Sequence, residues 1–571
     1  AGGYLLTAAF STLEPRDRLF PGVTLGLVLF IVISNITARI LPLNAAFPAA
    51  CILILLAGAA AAFLKRAEID WSHKVYFEAV QIGMLLGLVV LFTMINRGLA
   101  ILDDYHNLPI VSIMATGKIP PPFYLKNDTP MAYHYGLHIF STFLASEGGF
   151  FPWSAYDISK SLVLSLTILS AWVWFRKKQL STSGLLMSVF IFALAGGTRW
   201  LLLFAPAGWL QSTSSGLELL GGRVTSNIWL TESISTAWEI EGAGPFPFPF
   251  AFANGIFHPI VFSLGSNSTL PLLTIIMLLL IRPARWSLPS IVLASFSIAS
   301  LGLSAELYAG LIYVGAAVAF PIALIKRKDR AVWLPWAAVL GTALPLLLVQ
   351  GGVLSSVFRT MVMQAAGSAA PDTGFGGFSF TPIPTVISAH LGRLPLTSPD
   401  TAVLAFLEIG PVLLLIPFTI MALKKYWANH QLLPVIILLG SFLIPFASLF
   451  FHYSVERDTS RLIGNSCFLW LLLGLPVLFQ PGRRSKFRTG IKVFLTVSML
   501  GGVVFLAVML TAVKSPVQSY FLTGVDAQFH ARYWDKLEED AWVFDPYPHR
   551  AVTIFGRIPD SHESLRVYLD S

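Results

Sequence analysis

Charged side chains are scarce in this sequence. They make up 12% of its 571 residues, whereas hydrophobic residues make up 55%. A soluble globular protein carries roughly 25% charged residues, so the composition excludes an ordinary soluble domain. Apolar runs of about 18 residues or more recur along nearly the whole chain, and this is the length that a helix needs to cross a bilayer. The composition therefore predicts an all-α polytopic membrane protein.

Cysteine and metal-binding motifs are also sparse. The two cysteines, Cys51 and Cys467, both fall inside apolar runs, which excludes a disulfide framework and a CxxC metal pair. The histidines show no HExxH or similar spacing, so we expect no structural zinc. No lysine follows the glycine-rich stretches at the spacing of a P-loop. The net charge of +8 is spread over short loops, which argues against nucleic acid as a partner.

Hydropathy predicts about thirteen transmembrane helices. Their expected limits are 20–42, 45–64, 77–97, 156–175, 183–204, 268–282, 287–304, 305–325, 331–350, 401–423, 432–452, 461–480 and 490–513. Basic residues then fall on one side of the membrane, in the segments 65–74, 176–178, 282–285, 326–330, 424–425 and 482–488. By the positive-inside rule, this side is cytoplasmic. We therefore expect a plasma (inner) membrane protein with a cytoplasmic N-terminus, an extracytoplasmic C-terminus and an uncleaved first apolar run as its anchor.

The opposite side receives long segments, which in compact proteins usually have a function. They are the loops 98–155, 205–267 and 351–400 and the tail after about residue 514. We divide the chain into an N-terminal segment with two extra helices (1–76), a membrane core (77–515) and a small α/β unit (516–571).

Three stretches in these outer segments have recognisable patterns. In "GPFPFPFAFANGIFHP", alternate prolines forbid helix and favour extended backbone. The glycine-rich "AAPDTGFGGFSFTP" is expected to be a flexible lid. In the tail, "DAQFHARYWDKLEED" has helical periodicity, and "AWVFDPYPHRAVTIFGR" predicts strand, turn and strand.

The first outer loop contains the densest ionisable cluster, "DDYH". Asp103 and Asp104 are followed at once by Tyr105 and His106. Such a pair could simply mark a helix end in water. However, the loop returns to an apolar helix at "GLHIFSTFLA", and "YHYG" places His134 between Tyr133 and Tyr135. A histidine between two aromatic rings is suited to lining a polar pocket.

These features resemble those of the GT-C membrane glycosyltransferases, which use sugars carried on a polyprenyl phosphate or pyrophosphate. The shared features are a long first outer loop that opens with paired acidic residues, a basic-inside polytopic core and an extracytoplasmic C-terminal unit. "YHYG" is similar to an aromatic-rich motif in the same loop of some bacterial and archaeal members. The resemblance covers roughly residues 77–480.

The resemblance implies an inverting transfer on the extracytoplasmic face. Asp103 would be the general base, by its match to the first acidic residue of the family's pair, and Asp104 would orient the acceptor or help to hold Mg²⁺ or Mn²⁺. No cofactor is certain. The partners would be a polyprenyl-linked sugar donor, membrane lipids and a glycan, lipid or protein acceptor. Candidates for substrate and phosphate contacts are His106, Lys118, Lys126, Tyr133, His134, Tyr135, Arg199, His258, Glu306, Arg457 and Arg461.

Two of these positions also have simpler interpretations. In "SVERDTSR", Arg457 could pair locally in a solvated turn, whereas Arg461 begins a span and needs a partner. In the family, arginine in a late outer loop contacts phosphate. Glu306 could be favoured only by the dipole at its helix start, with Ser304 as the cap.

Three classes of protein remain in competition at this point. The first is the glycosyltransferase. The second is a transporter or flippase for a lipid-linked substrate, against which the crowding of ionisable residues at one interface argues. The third is a non-catalytic subunit of a larger membrane assembly that retains the GT-C scaffold.

Overall fold

The computed structural model is a bundle of apolar helices with short strand pairs at one end. It describes residues 1–70, 75–96, 104–124, 126–217, 230–240, 244–253, 255–261, 269–283, 285–326, 329–367, 378–388, 391–453, 460–481, 485–512, 524–538, 541 and 548–557. The first part contains α1 (Gly2–Phe10), α2 (Leu19–Thr37), α3 (Leu43–Leu64), α4 (Val75–Asn96), α5 (Asp104–Ala115), β1 (Pro122–Phe123), β2 (Lys126–Pro130), α6 (Gly136–Ser146), α7 (Pro152–Arg176) and α8 (Thr182–Leu194).

The middle and last parts continue the same alternation of long helices and short loop elements. The middle contains α9 (Ala207–Ser215), α10 (Leu230–Ser235), β3 (Ala237–Ile240), β4 (Gly244–Pro249), α11 (Thr269–Leu280), α12 (Leu288–Ser304), α13 (Glu306–Ile325), α14 (Arg330–Val349) and α15 (Gly352–Ala365). The last part contains β5 (Phe378–Phe380), β6 (Thr385–Ser388), β7 (Gly392–Pro395), α16 (Pro399–Ile409), α17 (Ile416–Ala428), α18 (Leu432–Ser448), β8 (Phe451–Tyr453), α19 (Ser460–Leu478), α20 (Lys486–Val497), α21 (Leu500–Ala512), α22 (Gly524–Tyr533) and α23 (Pro548–Phe555). Short 3-10 turns cover Pro15–Asp17, Arg199–Phe204, Phe250–Ala253 and Pro411–Leu415.

Nine helices of the described chain are long and apolar enough to cross a membrane. They comprise α2, α3, most of α4, α7, α13, α14, the segment Pro411–Ala428, most of α19, and Lys486–Val508. The other four predicted spans correspond to shorter apolar helices, namely α8, α11, α12 and α18. The prediction of an all-α polytopic membrane protein is therefore confirmed, and the count of thirteen spans stays a prediction.

Burial separates central helices from peripheral ones. The most apolar window is 78% buried in α7 and 72% buried in both α2 and α19, against 17% in α4 and 22% in α14. Exposed leucine, isoleucine and phenylalanine on α3 are what a lipid-facing helix requires, because lipid tails solvate apolar side chains. Helices α2, α7 and α19 therefore lie in the middle of the bundle, and α4 and α14 lie at its periphery.

The expected limits of the tenth span, 401–423, are wrong. α16 ends at Ile409, Gly410 has φ 82°, and a separate apolar segment runs from Pro411 to Ala428. A Cβ on Gly410 would lie 2.8 Å from the carbonyl oxygen of Gly196. The backbone conformation and this close approach both require glycine, so the chain bends here instead of continuing as one helix.

Basic residues from separate loops meet at one end of the bundle, which we call the basic end. Arg176 pairs with Asp17, and Lys178 lies within electrostatic reach of Arg282 and Lys425. Arg176 is the last residue of α7 and Lys178 follows it, Arg282 follows α11, and Lys425 lies near the end of α17. Three basic clusters that the sequence predicts on one side of the membrane therefore share one end of the molecule. Which compartment this end faces stays a prediction.

The described strands lie at the opposite end, which we call the loop end. All of them fall in the predicted outer loops except β8, which begins at the end of the predicted span 432–452. β1 pairs with β2, β3 with β4, β6 with β7, and β5 with β8, all antiparallel. The extended backbone predicted for the "GPFPFP" segment is confirmed by β4. The hydroxyl of Tyr135 lies 3.1 Å from both Asn35 Oδ1 and the carbonyl oxygen of Gln350. This contact ties the first loop to the ends of α2 and α14.

The described part of the tail contains two helices. The helix predicted from Asp526 onward is confirmed by α22. The strand predicted over the "AVTIF" segment is wrong, because these residues lie in α23. α23 packs against α5, and Ser112 Oγ donates a hydrogen bond of 2.7 Å to the carbonyl of Thr553. The tail therefore docks directly on the first outer loop.

Candidate functional site

The start of α5 is fixed between two contacts to neighbouring helices. Asn96, the last residue of α4, donates from Nδ2 to Ser161 Oγ at 3.0 Å. Asn107, in the first turn of α5, has its Oδ1 3.0 Å from His138 Nε2. Asp103 lies outside the described residues. Asp104 and His106 belong to the first turn of α5, but their side chains are outside the described part. The two residues that flank this segment in the sequence, Asn96 and Asn107, are therefore tied to α7 and α6 respectively.

A buried polar group lies directly beside these anchors. The ring of His138 stacks on Tyr156 with centroids 5.3 Å apart, and Lys160 Nζ lies 4.7 Å from the centre of the same ring. Lys160 is 4% exposed, and its Nζ is 3.4 Å from Asp157 Oδ1. Buried ionisable groups in a membrane helix are costly and usually functional. The sequence analysis did not identify this group. Its pattern, an Asp and a Lys three residues apart near the start of a largely apolar helix, could have indicated a buried ion pair.

His134, Glu306 and Arg461 form a second polar cluster at the loop end, which we call the Glu306 cluster. The ring of Tyr133 stacks on His134 at a centroid distance of 4.0 Å. His134 Nδ1 lies 3.7 Å from Glu306 Oε2, and Arg461 is close enough to Glu306 to interact electrostatically. The side chains of His134 and Glu306 are 19% and 34% exposed. The cluster thus joins three segments that are far apart in sequence. Its side chains are partly exposed, whereas the facing atoms His134 Nδ1 and Glu306 Oε2 are buried.

The turn between α12 and α13 positions this cluster. A Cβ on Gly136 would lie 2.7 Å from Ser304 Oγ, so the start of α6 packs directly on the turn and holds the preceding "YHYG" residues against Glu306. The expectation that Ser304 caps α13 is wrong. Ala305 is the N-cap residue, and Ser304 Oγ donates instead to the carbonyl of Ser300 at 2.9 Å.

The first turn of α19 is held beside α13 by a side-chain contact. Tyr308 donates its hydroxyl to Asn465 Oδ1 at 3.2 Å. Since Asn465 lies one turn after Arg461, this bond keeps Arg461 level with Glu306.

Tyr135, which follows His134 in the first outer loop, stays protonated, because burial raises the pKa of its hydroxyl to about 12. Arg457 lies outside the described residues.

The two polar groups are connected through α6. His134 lies two residues before the start of α6, and His138 lies in the first turn of α6. The two histidines are close enough to interact electrostatically. A path of neighbouring side chains therefore runs from Asn107 at the start of α5, through His138 and His134, to Glu306 and Arg461. Of the candidate residues predicted from the sequence, the structure brings together Tyr133, His134, Glu306 and Arg461.

Arg199 has a different environment from the one expected for a phosphate contact. Its side chain is completely buried, and it forms two bonds to the carboxylate of Glu408, from Nε to Oε1 and from Nη2 to Oε2 at 3.0 Å. Ser388 Oγ donates to the same carboxylate at 3.0 Å, and the guanidinium lies 4.3 Å from the centre of the Phe250 ring. This arrangement connects the second and third loops. His258 is half-buried in the same region.

No group of three metal-ligating side chains occurs within the described ranges. Glu306 is already engaged by His134 and Arg461, so we derive no step through a metal ion. Two clefts between described helices, one lined by Trp286 and Trp336 and one by Trp427 and His430, both lie at the basic end. Neither borders the Glu306 cluster.

No protein-family model matches the chain, and no curated protein sequence matches it.

Proposed function

We propose that this chain is a membrane glycosyltransferase of the GT-C type. It transfers a sugar from a polyprenyl phosphate or pyrophosphate carrier to an acceptor hydroxyl on the extracytoplasmic face. The observation that supports this proposal is the polar region at the loop end. There His138, which contacts Asn107 of α5, and Arg461 both lie within electrostatic range of the His134–Glu306 pair or one of its members. The reaction needs a carboxylate base and cationic side chains near the carrier phosphate. The Glu306 cluster supplies a histidine and an arginine, and in this proposal Asp103 and Asp104 supply the carboxylates.

In the proposed reaction, Asp103 takes the proton of the acceptor hydroxyl. The acceptor oxygen forms a bond to the anomeric carbon, and the bond from that carbon to the carrier phosphate oxygen breaks on the opposite face. The carrier leaves as a phosphate or pyrophosphate that has gained one negative charge. Asp104 orients the acceptor.

The departing phosphate requires positive charge or hydrogen-bond donors near its oxygens. Arg461 is exposed at the start of α19 and presents a planar guanidinium, which suits bidentate contacts to phosphate. His134, stacked on Tyr133, presents a second donor. Glu306 touches neither the donor nor the acceptor in this proposal. It positions His134 and Arg461 by interacting with both.

The depth of the charged groups favours transfer over transport. Asp157 and Lys160 lie in the first third of α7, and Glu306 and Arg461 lie at helix starts. Transporters place such groups near the bilayer midplane, so these positions fit a reaction at one membrane surface better.

The test is a transfer assay with purified protein in nanodiscs. A panel of polyprenyl-phosphate sugars is supplied with acceptor-containing membranes, and released polyprenyl phosphate is measured. Asp103→Asn should lower the rate at least about 100-fold, because a carboxamide cannot accept the proton. The matched control is Asp329→Asn. It makes the same chemical change at an exposed residue, the N-cap of α14, where asparagine caps a helix as well as aspartate does, so the transfer rate should stay unchanged.

Full activity of Asp103→Asn would remove Asp103 from the role of base. Absence of transfer by the wild-type protein with every donor, despite normal folding, would favour the non-catalytic subunit instead.

A further inference from the structure

Three cations meet at the basic end around an aromatic pair. Lys178 follows α7 and lies 3.7 Å from the centre of the Trp174 ring and 5.3 Å from that of Tyr426. Arg282, which follows α11, and Lys425, near the end of α17, both act electrostatically on Lys178. Lys178 is half-buried, whereas Arg282 and Lys425 are exposed. Lys178 is therefore held against the two aromatic rings, whereas Arg282 and Lys425 are accessible from outside the protein.

This cluster lacks a carboxylate. Within the described chain, no Asp or Glu lies within ion-pair distance of Lys178, Arg282 or Lys425, although Arg176 nearby is paired with Asp17. Burial, together with Arg282, Lys425 and Lys177, lowers the pKa of Lys178 to about 7. The cations thus repel one another, and an anion among them would relieve that repulsion.

An apolar cleft adjoins the same cluster. Its walls come from α1, α2, α11, α12 and α14, and they include Phe10, Met277, Ile281, Trp286, Leu293 and Trp336. Arg282 borders this cleft, because its neighbours in the sequence, Ile281 and Pro283, both line the cleft. Several lining side chains are only half-buried, so the cleft reaches the surface. Trp286 and Trp336 meet edge to face at 5.1 Å, and tryptophan is typical of the membrane interface.

We infer that the basic end binds one anionic glycerophospholipid, with its phosphate among Lys178, Arg282 and Lys425 and one acyl chain in the adjoining cleft. Charge complementarity selects an anionic headgroup, and the apolar walls select a ligand with a long chain. Basic pockets between membrane helices bind such headgroups for this reason. The site lies at the opposite end of the bundle from the Glu306 cluster, and it is independent of the proposed transferase activity.

Native mass spectrometry of the full chain tests this inference. The protein is released from nanodiscs of phosphatidylcholine that contain a small fraction of phosphatidylglycerol, and bound phosphatidylglycerol is counted. The variant Lys178→Gln/Arg282→Gln should lose at least about tenfold in affinity, because each basic residue near an anionic lipid contributes about fivefold. The matched control is Lys326→Gln, which removes an exposed charge after α13 at the same end and should retain binding.

If Lys326→Gln lost as much affinity for phosphatidylglycerol per removed charge as the double variant, the binding would reflect a general attraction to anionic lipid. That result would overturn the proposed site. All variants are first compared by thermal unfolding. If the double variant unfolds at a lower temperature than the wild-type protein, the charge-conserving variant Lys178→Arg/Arg282→Lys is used instead. It should fold and bind phosphatidylglycerol, because both positive charges are kept.

A second experiment separates a lipid from a free anion. Ala294 lines the cleft, so Ala294→Phe should weaken binding of long-chain phosphatidylglycerol and leave binding of the dihexanoyl form unchanged. Inorganic phosphate at millimolar concentration should compete poorly with the long-chain lipid. Effective competition by inorganic phosphate, together with no effect of Ala294→Phe, would identify a soluble phosphate site and refute the lipid.

Discussion

Breaking the buried ion pair of Arg199 and Glu408 should destabilise the loop end strongly. The side chains are 0% and 1% exposed, so water cannot replace a lost partner. Arg199→Met leaves the Glu408 carboxylate buried with Ser388 as its one side-chain donor among the described residues. Removing one member of a buried pair costs about 3–5 kcal/mol. Glu408→Leu should cost a similar amount, because it leaves the guanidinium buried without a negative charge.

The double variant Arg199→Met/Glu408→Leu should cost less than the two single variants together, with a coupling of about 2–3 kcal/mol. The measurement is unfolding by SDS titration, followed by tryptophan fluorescence. Arg359→Met, on the exposed face of α15, is the matched control and should change stability by less than about 0.5 kcal/mol. Additive effects, or an Arg199→Met variant as stable as the control, would refute the reasoning. Weaker polyprenyl phosphate binding without lost stability would support the phosphate role predicted from the sequence.

Three further predictions concern packing, the tail and the donor site. Gly315→Ala should destabilise the protein because its Cβ would contact the carbonyl oxygen of Ile436 between α13 and α18, whereas Gly310→Ala, with open space around it, should be neutral in the same thermal unfolding assay. Burial lowers the pKa of His530, so the unfolded tail binds the proton first. Docking of the tail should therefore weaken as pH falls below about 6.5, as hydrogen exchange of α23 would reveal, and a pH-independent tail would contradict this. Arg461→Ala should weaken binding of polyprenyl phosphate at least about tenfold while affecting acceptor affinity little, and equal effects on both would exclude a phosphate role.

Long apolar elements could be predicted from the sequence because their pattern is local. The limits of α3 and α13 lie within two residues of those predicted, and the helix that follows "YHYG" is confirmed by α6. The alternate prolines similarly predicted the extended β4. In each case the hydropathy or the backbone restriction of the residues themselves determines the conformation.

The failures have tertiary causes. Val552, Thr553 and Ile554 favour a strand by their β-branched side chains, but all three are buried against neighbouring elements as part of α23. The pairing of Arg199 with Glu408 spans 209 positions, and no local pattern indicates it. The contact of Asn107 with His138 likewise depends on how α5 and α6 pack.

The position of a bound carrier tests the central claim most directly. A cryo-electron microscopy structure of the protein with polyprenyl phosphate would show where the phosphate binds. We predict phosphate density at the loop end in contact with Arg461 and His134, beside the start of α5. Density for the carrier phosphate only at other places, such as the lipid-facing surface away from Glu306, with none at the loop end, would contradict the proposed transferase site.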